Sequence, residues 1–172
     1  MRIAIGGVLI GLTAIIPSVF AQAADAGLPI YPGAMPDREG NPSHFPGAVA
    51  FNDSATAVID VPVGRRARSR VVVIRLRTPD PVDRVAAFYT QTLAKYGTVL
   101  DCSHPERSPK VAPGEATCAA GLGGKTPQLQ PNELLFRAGT RYKEHLVAIQ
   151  TGVGFTTLQL VYVEFGPKSQ DP

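Results

Sequence analysis

Cys102 and Cys118 are the residues whose type offers this chain the most chemistry. The run Asp101-Cys102-Ser103-His104 sets an imidazole two residues from a sulfur. Residues two apart on a strand share a face, and a thiol beside a base is the core of a cysteine nucleophile. The competing chemistry is a crosslink, because an even pair of cysteines in an oxidising compartment ordinarily forms a disulfide. Fifteen residues lie between the two, and closing a loop of that size removes roughly 3 kcal/mol of unfolded-chain entropy. Free thiols are unusual in exported proteins. The Cys102–Cys118 disulfide is therefore the expectation, and a reactive Cys102–His104 pair is its rival.

Other candidates carry less. His44, His104 and His145 fall in different elements, with no HxH or HxxxH spacing. No acidic pair joins them at ligand spacing, so they read as surface or loop histidines and no metal site is expected. Gly121-Leu122-Gly123-Gly124-Lys125-Thr126 ends like a phosphate-binding loop but lacks its first glycine. No GxSxG or GxGxxG occurs, and no catalytic residue or cofactor is assigned. The basic cluster Arg65, Arg66, Arg68 and Arg70, continued by Arg75 and Arg77, allows two readings. Guanidinium forks match phosphate and carboxylate geometry, which would suit an anionic partner such as lipid headgroups or cell-wall polymer. A solvated hairpin that protects a sheet edge uses the same residues.

The compartment follows from the N-terminus. Met1-Arg2 precedes an apolar run from Ile3 to Ile16 that only Thr13 interrupts, then Pro17-Ser18 and the small-x-small triplet Ala21-Gln22-Ala23. That order of parts is a secretory signal peptide over residues 1–23, cut after Ala23 or, as second choice, after Ala26. The run is shorter than the roughly 20 residues that span a bilayer. A periplasmic or secreted protein with no membrane span after processing is expected. The formal charge of +3 falls to +2, since Arg2 leaves with the leader and no acidic residue does. So small a balance gives no support to a nucleic-acid partner, and no aromatic residues interleave with the arginines to stack bases.

About 149 residues remain, enough for one domain with its own core. Residues 24–50 read as an extended, proline-rich segment, and residues 51–172 as a single domain carrying a long loop over 103–131. Alternation predicts strands at Ala55–Val63, Ser69–Arg77, Thr98–Cys102, Glu133–Ala138, His145–Thr151 and Phe155–Phe165. Helical spacing predicts one amphipathic helix from about Asp80, with Asp80 as its cap, Pro81 in the first turn and Gly97 at its end. Its apolar face is Val82, Val85, Ala86, Tyr89, Leu93 and Tyr96. This order favours an α+β fold, a mainly antiparallel sheet with one principal helix on one face.

The strands themselves raise a question. Val72, Ile74 and Leu76 point to one side of the second strand, and Val71 and Val73 to the other. The last strand is likewise apolar on both sides, and such strands need cover on both faces. One helix supplies half of it. The proline-rich segment from Leu28 to Ala50, the 103–131 loop, or another molecule must supply the rest. In the last case an apolar ligand or protein partner would occupy the sheet face opposite the helix.

Several segments resemble those of a group of uncharacterised exported bacterial proteins of acidobacterial type. These are Leu28-Pro29-Ile30-Tyr31-Pro32-Gly33-Ala34, Asp80-Pro81 leading to Val85-Ala86-Ala87-Phe88-Tyr89, and Tyr96-Gly97-Thr98-Val99-Leu100-Asp101-Cys102. Asn132-Glu133-Leu134-Leu135, Ala138-Gly139-Thr140 and Leu160-Val161-Tyr162-Val163 complete the likeness. The family carries no assigned activity, so the resemblance implies export but no site. The reading is a small, non-catalytic binding or accessory module of the cell envelope. The alternatives are an enzyme of unrecognised type and an envelope-associated structural protein that binds anionic polymer or lipid through the arginine hairpin.

Overall fold

The computed structural model describes residues 26–38, 55–63, 67–119, 129 and 132–166. The expected signal peptide, Arg65, Arg66, His44 and the Gly121–Thr126 run lie outside them. Strands β1 (Met35–Pro36), β2 (Thr56–Val63), β3 (Ala67–Thr78), β4 (Leu100–Asp101), β5 (Glu133–Thr140), β6 (Lys143–Thr151) and β7 (Thr156–Phe165) form one antiparallel sheet. Its order is β1-β3-β7-β6-β5-β4, and β2 shares with β1 the outer edge of β3. Helix α1 (Val82–Leu93) follows β3 and ends in a 3₁₀ turn, Ala94–Tyr96. The chain is thus an α+β protein, mainly sheet.

The helix starts differently from the expectation. Pro81 occupies the cap position, and no side chain caps the free amides. The Asp80 carboxylate is engaged elsewhere: Tyr31 donates to one oxygen at 2.7 Å and Arg84 to the other at 3.2 Å. The end also differs, because the backbone tightens to 3₁₀ before Gly97, whose φ of 138° turns the chain toward β4. β4 is correspondingly only two residues long.

On the helix-bearing face, Val72, Ile74, Leu158, Leu160, Val147 and Ile149 meet Val85, Tyr89 and Leu93 of α1. The N-terminal segment belongs to this same core. Ala26 and Leu28 are wholly buried, and Tyr31 packs edge-on against Phe88 at 5.2 Å. The Tyr89 hydroxyl accepts from Tyr31 N and donates to Pro29 O. Residues 27–34, 80–89 and Tyr96 therefore form one strap-and-helix joint, with the Gly27 carbonyl accepting from Tyr96.

The second face is covered as well. Val73, Leu135, Leu146, Ala148, Val161 and Val163 are each at most 6% exposed, and Cys102 and Leu129 pack against them. The 103–131 loop explains part of this. Residues 112–118 run along the end of β5, where Ala116 N donates to Gly139 O and Arg141 N to Gly114 O, both at 3.0 Å. On the face opposite the helix, where an apolar ligand or protein partner was expected, these six side chains are thus already buried within the chain. An apolar side chain with no solvent exposure has no further hydrophobic free energy to gain from a visitor.

Among the described residues β2 pairs only with β3, so its other side is a sheet edge. Arg75 N donates to Ala55 O, which makes 55/75 a hydrogen-bonded pair and turns Thr56, Val58, Asp60 and Pro62 outward along the edge. Proline is tolerated at such a position because no ladder bond is asked of it.

Candidate functional site

The chemistry nominated by sequence resolves first at the cysteines. Cys102 and Cys118 form a disulfide, and no free cysteine remains. His104 does lie in the predicted neighbourhood, but its Nδ1 faces Asp101 Oδ2 at 3.1 Å. The other Asp101 oxygen accepts from the backbone amides of Ser103 and His104 at 3.0 and 3.3 Å. An imidazole oriented by a carboxylate is half of a nucleophilic constellation. The sulfur it would serve is committed to the crosslink, so no Cys102–His104 nucleophile exists in this form of the protein.

Of the four arginines nominated as an anion site, only Arg70 has a described side chain. It is exposed, and the sheet register sets it between Asp60 of β2 and Glu164 of β7. All three project on the helix-bearing side. Glu164 also takes Lys143 Nζ at 3.0 Å and the Tyr162 hydroxyl at 3.0 Å. Lys143, then Tyr162, hold the Glu164 carboxyl below the usual carboxylate range, and Glu164 in turn raises Lys143. Arg70 is thus flanked by two carboxylates, an arrangement that meets positive charge internally and weakens a stripe for external anions.

One member of this end of the sheet was misjudged from sequence. His145 reads as a surface histidine by spacing, yet it is 6% exposed on β6. Its ring stacks on Tyr96 at 3.7 Å and tilts against Tyr162 at 5.0 Å. Burial drives its pKa down to about 4, so the neutral ring prevails near neutrality. Among the described residues, Nδ1 has no hydrogen-bond partner. Nε2 faces Gly27, so closely that a Cβ there would stand 3.0 Å away. Gly27 has a φ of 69°, where side chains are strained, and its carbonyl accepts from the Tyr96 hydroxyl. The signal for burial was present in hindsight: His145 shares strand parity with Val147 and Ile149.

Two ion pairs were also missed. Arg137 and Glu144, at 2% and 3% exposure, sit on the second face. Nε of Arg137 donates to Glu144 Oε2 at 3.1 Å, Nη2 reaches the same oxygen, and Nη1 donates to Thr117 O at 2.6 Å. The pair is therefore also the rivet of the crosslinked loop. Burial holds the Glu144 carboxyl above its ordinary value even with the guanidinium beside it. Arg75, the fifth residue of the basic cluster, is buried against Asp37 at 3.3 Å and fastens the strap to β3. These charges hold the fold together and are not offered to a ligand.

Among the described residues no three His, Cys, Asp or Glu side chains gather as a metal would require, and no helix is long and apolar enough to cross a membrane. Comparison with protein-family models, with curated proteins and with solved structures finds no match to this chain.

Proposed function

We propose that this protein is an exported, non-catalytic accessory module of the cell envelope that binds through its outer surface and not through an internal pocket. The observation that carries the reading is the Cys102–Cys118 disulfide. Such a crosslink persists in oxidising compartments, in keeping with the secretory leader, and it removes the one thiol–imidazole pair that could have served an enzyme. The buried second face supports surface binding, because the groove that two-sided strands would otherwise have offered is filled by the chain.

The test combines location, thiol state and surface. Full-length chain with a C-terminal tag is expressed in a bacterium with two membranes, fractionated, alkylated with and without reductant, and weighed. The expected result is an extracytoplasmic protein that takes up two alkyl groups only after reduction. Cytoplasmic retention with both thiols modified directly overturns the reading and restores the Cys102–His104 alternative. Native protein should leave an apolar fluorescent dye dark, and a bright complex would contradict the sealed face. Salt-sensitive sedimentation with anionic vesicles would bring back the arginine hairpin as the binding element.

A further inference from the structure

The imidazole of His145 lies against the strap at Gly27, and the strap residues on either side, Ala26 and Leu28, are wholly buried. A neutral imidazole carries one N–H, whereas an imidazolium carries two and has no acceptor of its own. Among the described residues Nδ1 has no partner, and Nε2 faces Gly27, whose carbonyl already takes the Tyr96 hydroxyl. A charged ring would hold both donors away from water with nothing to receive them, which is a costly state.

Among the described residues no neighbouring charge relieves that cost. On β6, Lys143 shares the side of His145 and pairs with Glu164 of β7 at 3.0 Å. Glu164 also accepts from Tyr162, which stands opposite His145 on β7. On β5 the facing residue is Ala138, between Phe136 and Thr140, and none of the three titrates. The 3₁₀ turn brings Tyr96 and the exposed Lys95, a further cation. Past it, Glu115 is engaged by Ala112 N at 2.8 Å and Thr98 Oγ1 at 3.2 Å. The charges of α1 nearest its start, Asp83 and Arg84, are exposed in its first turn. Ala26, Gly27 and Leu28 carry no ionisable side chain. The Tyr96 and Tyr162 rings attract a cation and offset part of the cost.

The strap is built so that this end can lift alone. Its far end is fixed to β3, where Asp37 meets Arg75 at 3.3 Å and Asp37 N donates to Arg75 O at 3.1 Å. Between the two ends Pro32-Gly33 makes a turn, closed by Ala34 N on Tyr31 O at 3.0 Å, with Gly33 at a φ of 78°. We propose that proton uptake by His145 releases residues 26–31 from the core, with Pro32-Gly33 as the hinge, while α1 and the sheet stay folded. Water then reaches the ring, and Phe88 and Tyr89 lose the cover of Tyr31. The molecule thus presents an apolar patch in acid that it hides at neutral pH. The ring titrates at about 4 when covered and moves toward the ordinary 6.5 when uncovered. Opening is therefore favoured as pH falls through that window, by at most about thirtyfold between pH 7.5 and pH 5. None of this depends on the export reading.

Hydrogen exchange read by NMR on the oxidised full-length chain tests the gate, with each rate taken relative to an unstructured peptide at the same pH. The Tyr31 amide, which donates to the Tyr89 hydroxyl at 3.1 Å, is the reporter. Staying at pH 5 and above keeps carboxylates of ordinary pKa ionised. Protection of Tyr31 should fall about three- to thirtyfold from pH 7.5 to pH 5 while β6 and β7 keep theirs. The H145F variant keeps an aromatic ring that takes no proton, and its strap should stay protected. A fall below threefold, an equal fall in H145F, or a parallel loss across β6 and β7 overturns the proposal. If H145F does not fold, the ring resonances of His145 in the unaltered protein decide. They should titrate over the same pH range as the loss of protection, and a ring that stays neutral while the strap opens overturns it equally.

Discussion

Removing the charge of Glu144 while keeping its shape tests the second face most directly. In the E144Q variant, the Arg137 guanidinium keeps Thr117 O and one amide oxygen but loses its counter-ion at 2% exposure. Stranding one partner of a buried pair costs about 3–5 kcal/mol. The lower end applies here because the amide still accepts a hydrogen bond. A loss of about 3 kcal/mol in a domain of this size corresponds to a fall in Tm of roughly 6–12 °C. The double variant R137M/E144L behaves differently. Burial raises the Glu144 carboxyl despite the neighbouring cation, so desolvation outweighs attraction and the pair as a whole contributes little net stability. Its loss should be about 1–2 kcal/mol, chiefly the Thr117 carbonyl left without its donor. Guanidinium unfolding of oxidised protein, read as a double-mutant cycle with R137M, measures these values. A double variant as unstable as the two single variants combined would refute this account, and so would an E144Q loss below about 1 kcal/mol.

Three further outcomes are expected. His145 has its folded pKa depressed to about 4 from an ordinary 6.5. Between those values the unfolded chain binds a proton that the native chain does not, so stability falls as pH drops from 6.5 to 4, by up to about 3 kcal/mol. The H145F variant should lack that component, and urea unfolding at pH 7 and pH 4.5 compares the two slopes. Gly139 has a φ of 123°, and a Cβ there would stand 2.2 Å from Lys143 O. The G139A variant should therefore lose several kcal/mol or fail to fold, roughly the sum of left-handed strain and a backbone clash, as thermal unfolding will show. Replacing both cysteines by serine should cost about 3 kcal/mol and raise hydrogen exchange across 103–119 before it reaches β6 or β7.

The strands and the helix could be read from sequence because their side chains repeat. Val72, Ile74 and Leu76 against Val71 and Val73 gave β3 both its extent and its two greasy faces, and Val85, Tyr89 and Leu93 gave α1. Loops have no such period. Nothing in residues 26–37 or 112–118 says which face each will cover, since that depends on tertiary contacts such as Tyr31 with Asp80 and Arg137 with Thr117. Partners across strands were hidden for a related reason. Arg137 and Glu144 meet only because β5 and β6 pair in a register that sets Gly139 opposite Glu144. Parity still held a clue, because both charges occupy positions that share a side with Leu135, Leu146 and Ala148. A charged residue at an inward position asks for a partner, and another inward charge was available. The disulfide was legible from the even cysteine count and the expected compartment.

The two margins of the sheet bear on how anything can join it. At one, β4 is two residues long and the crosslinked loop continues alongside β5. At the other, the outward positions of β2 run Thr56, Val58, Asp60 and then Pro62. A visiting chain that tried to extend the ladder there would meet a carboxylate and then a missing amide hydrogen. Lateral growth, whether into a fibril or by accepting a neighbour's strand, is frustrated on both flanks. Under the binding role proposed above, recognition would fall to side chains at the surface and tips, where specificity is set residue by residue and not by a repeating backbone.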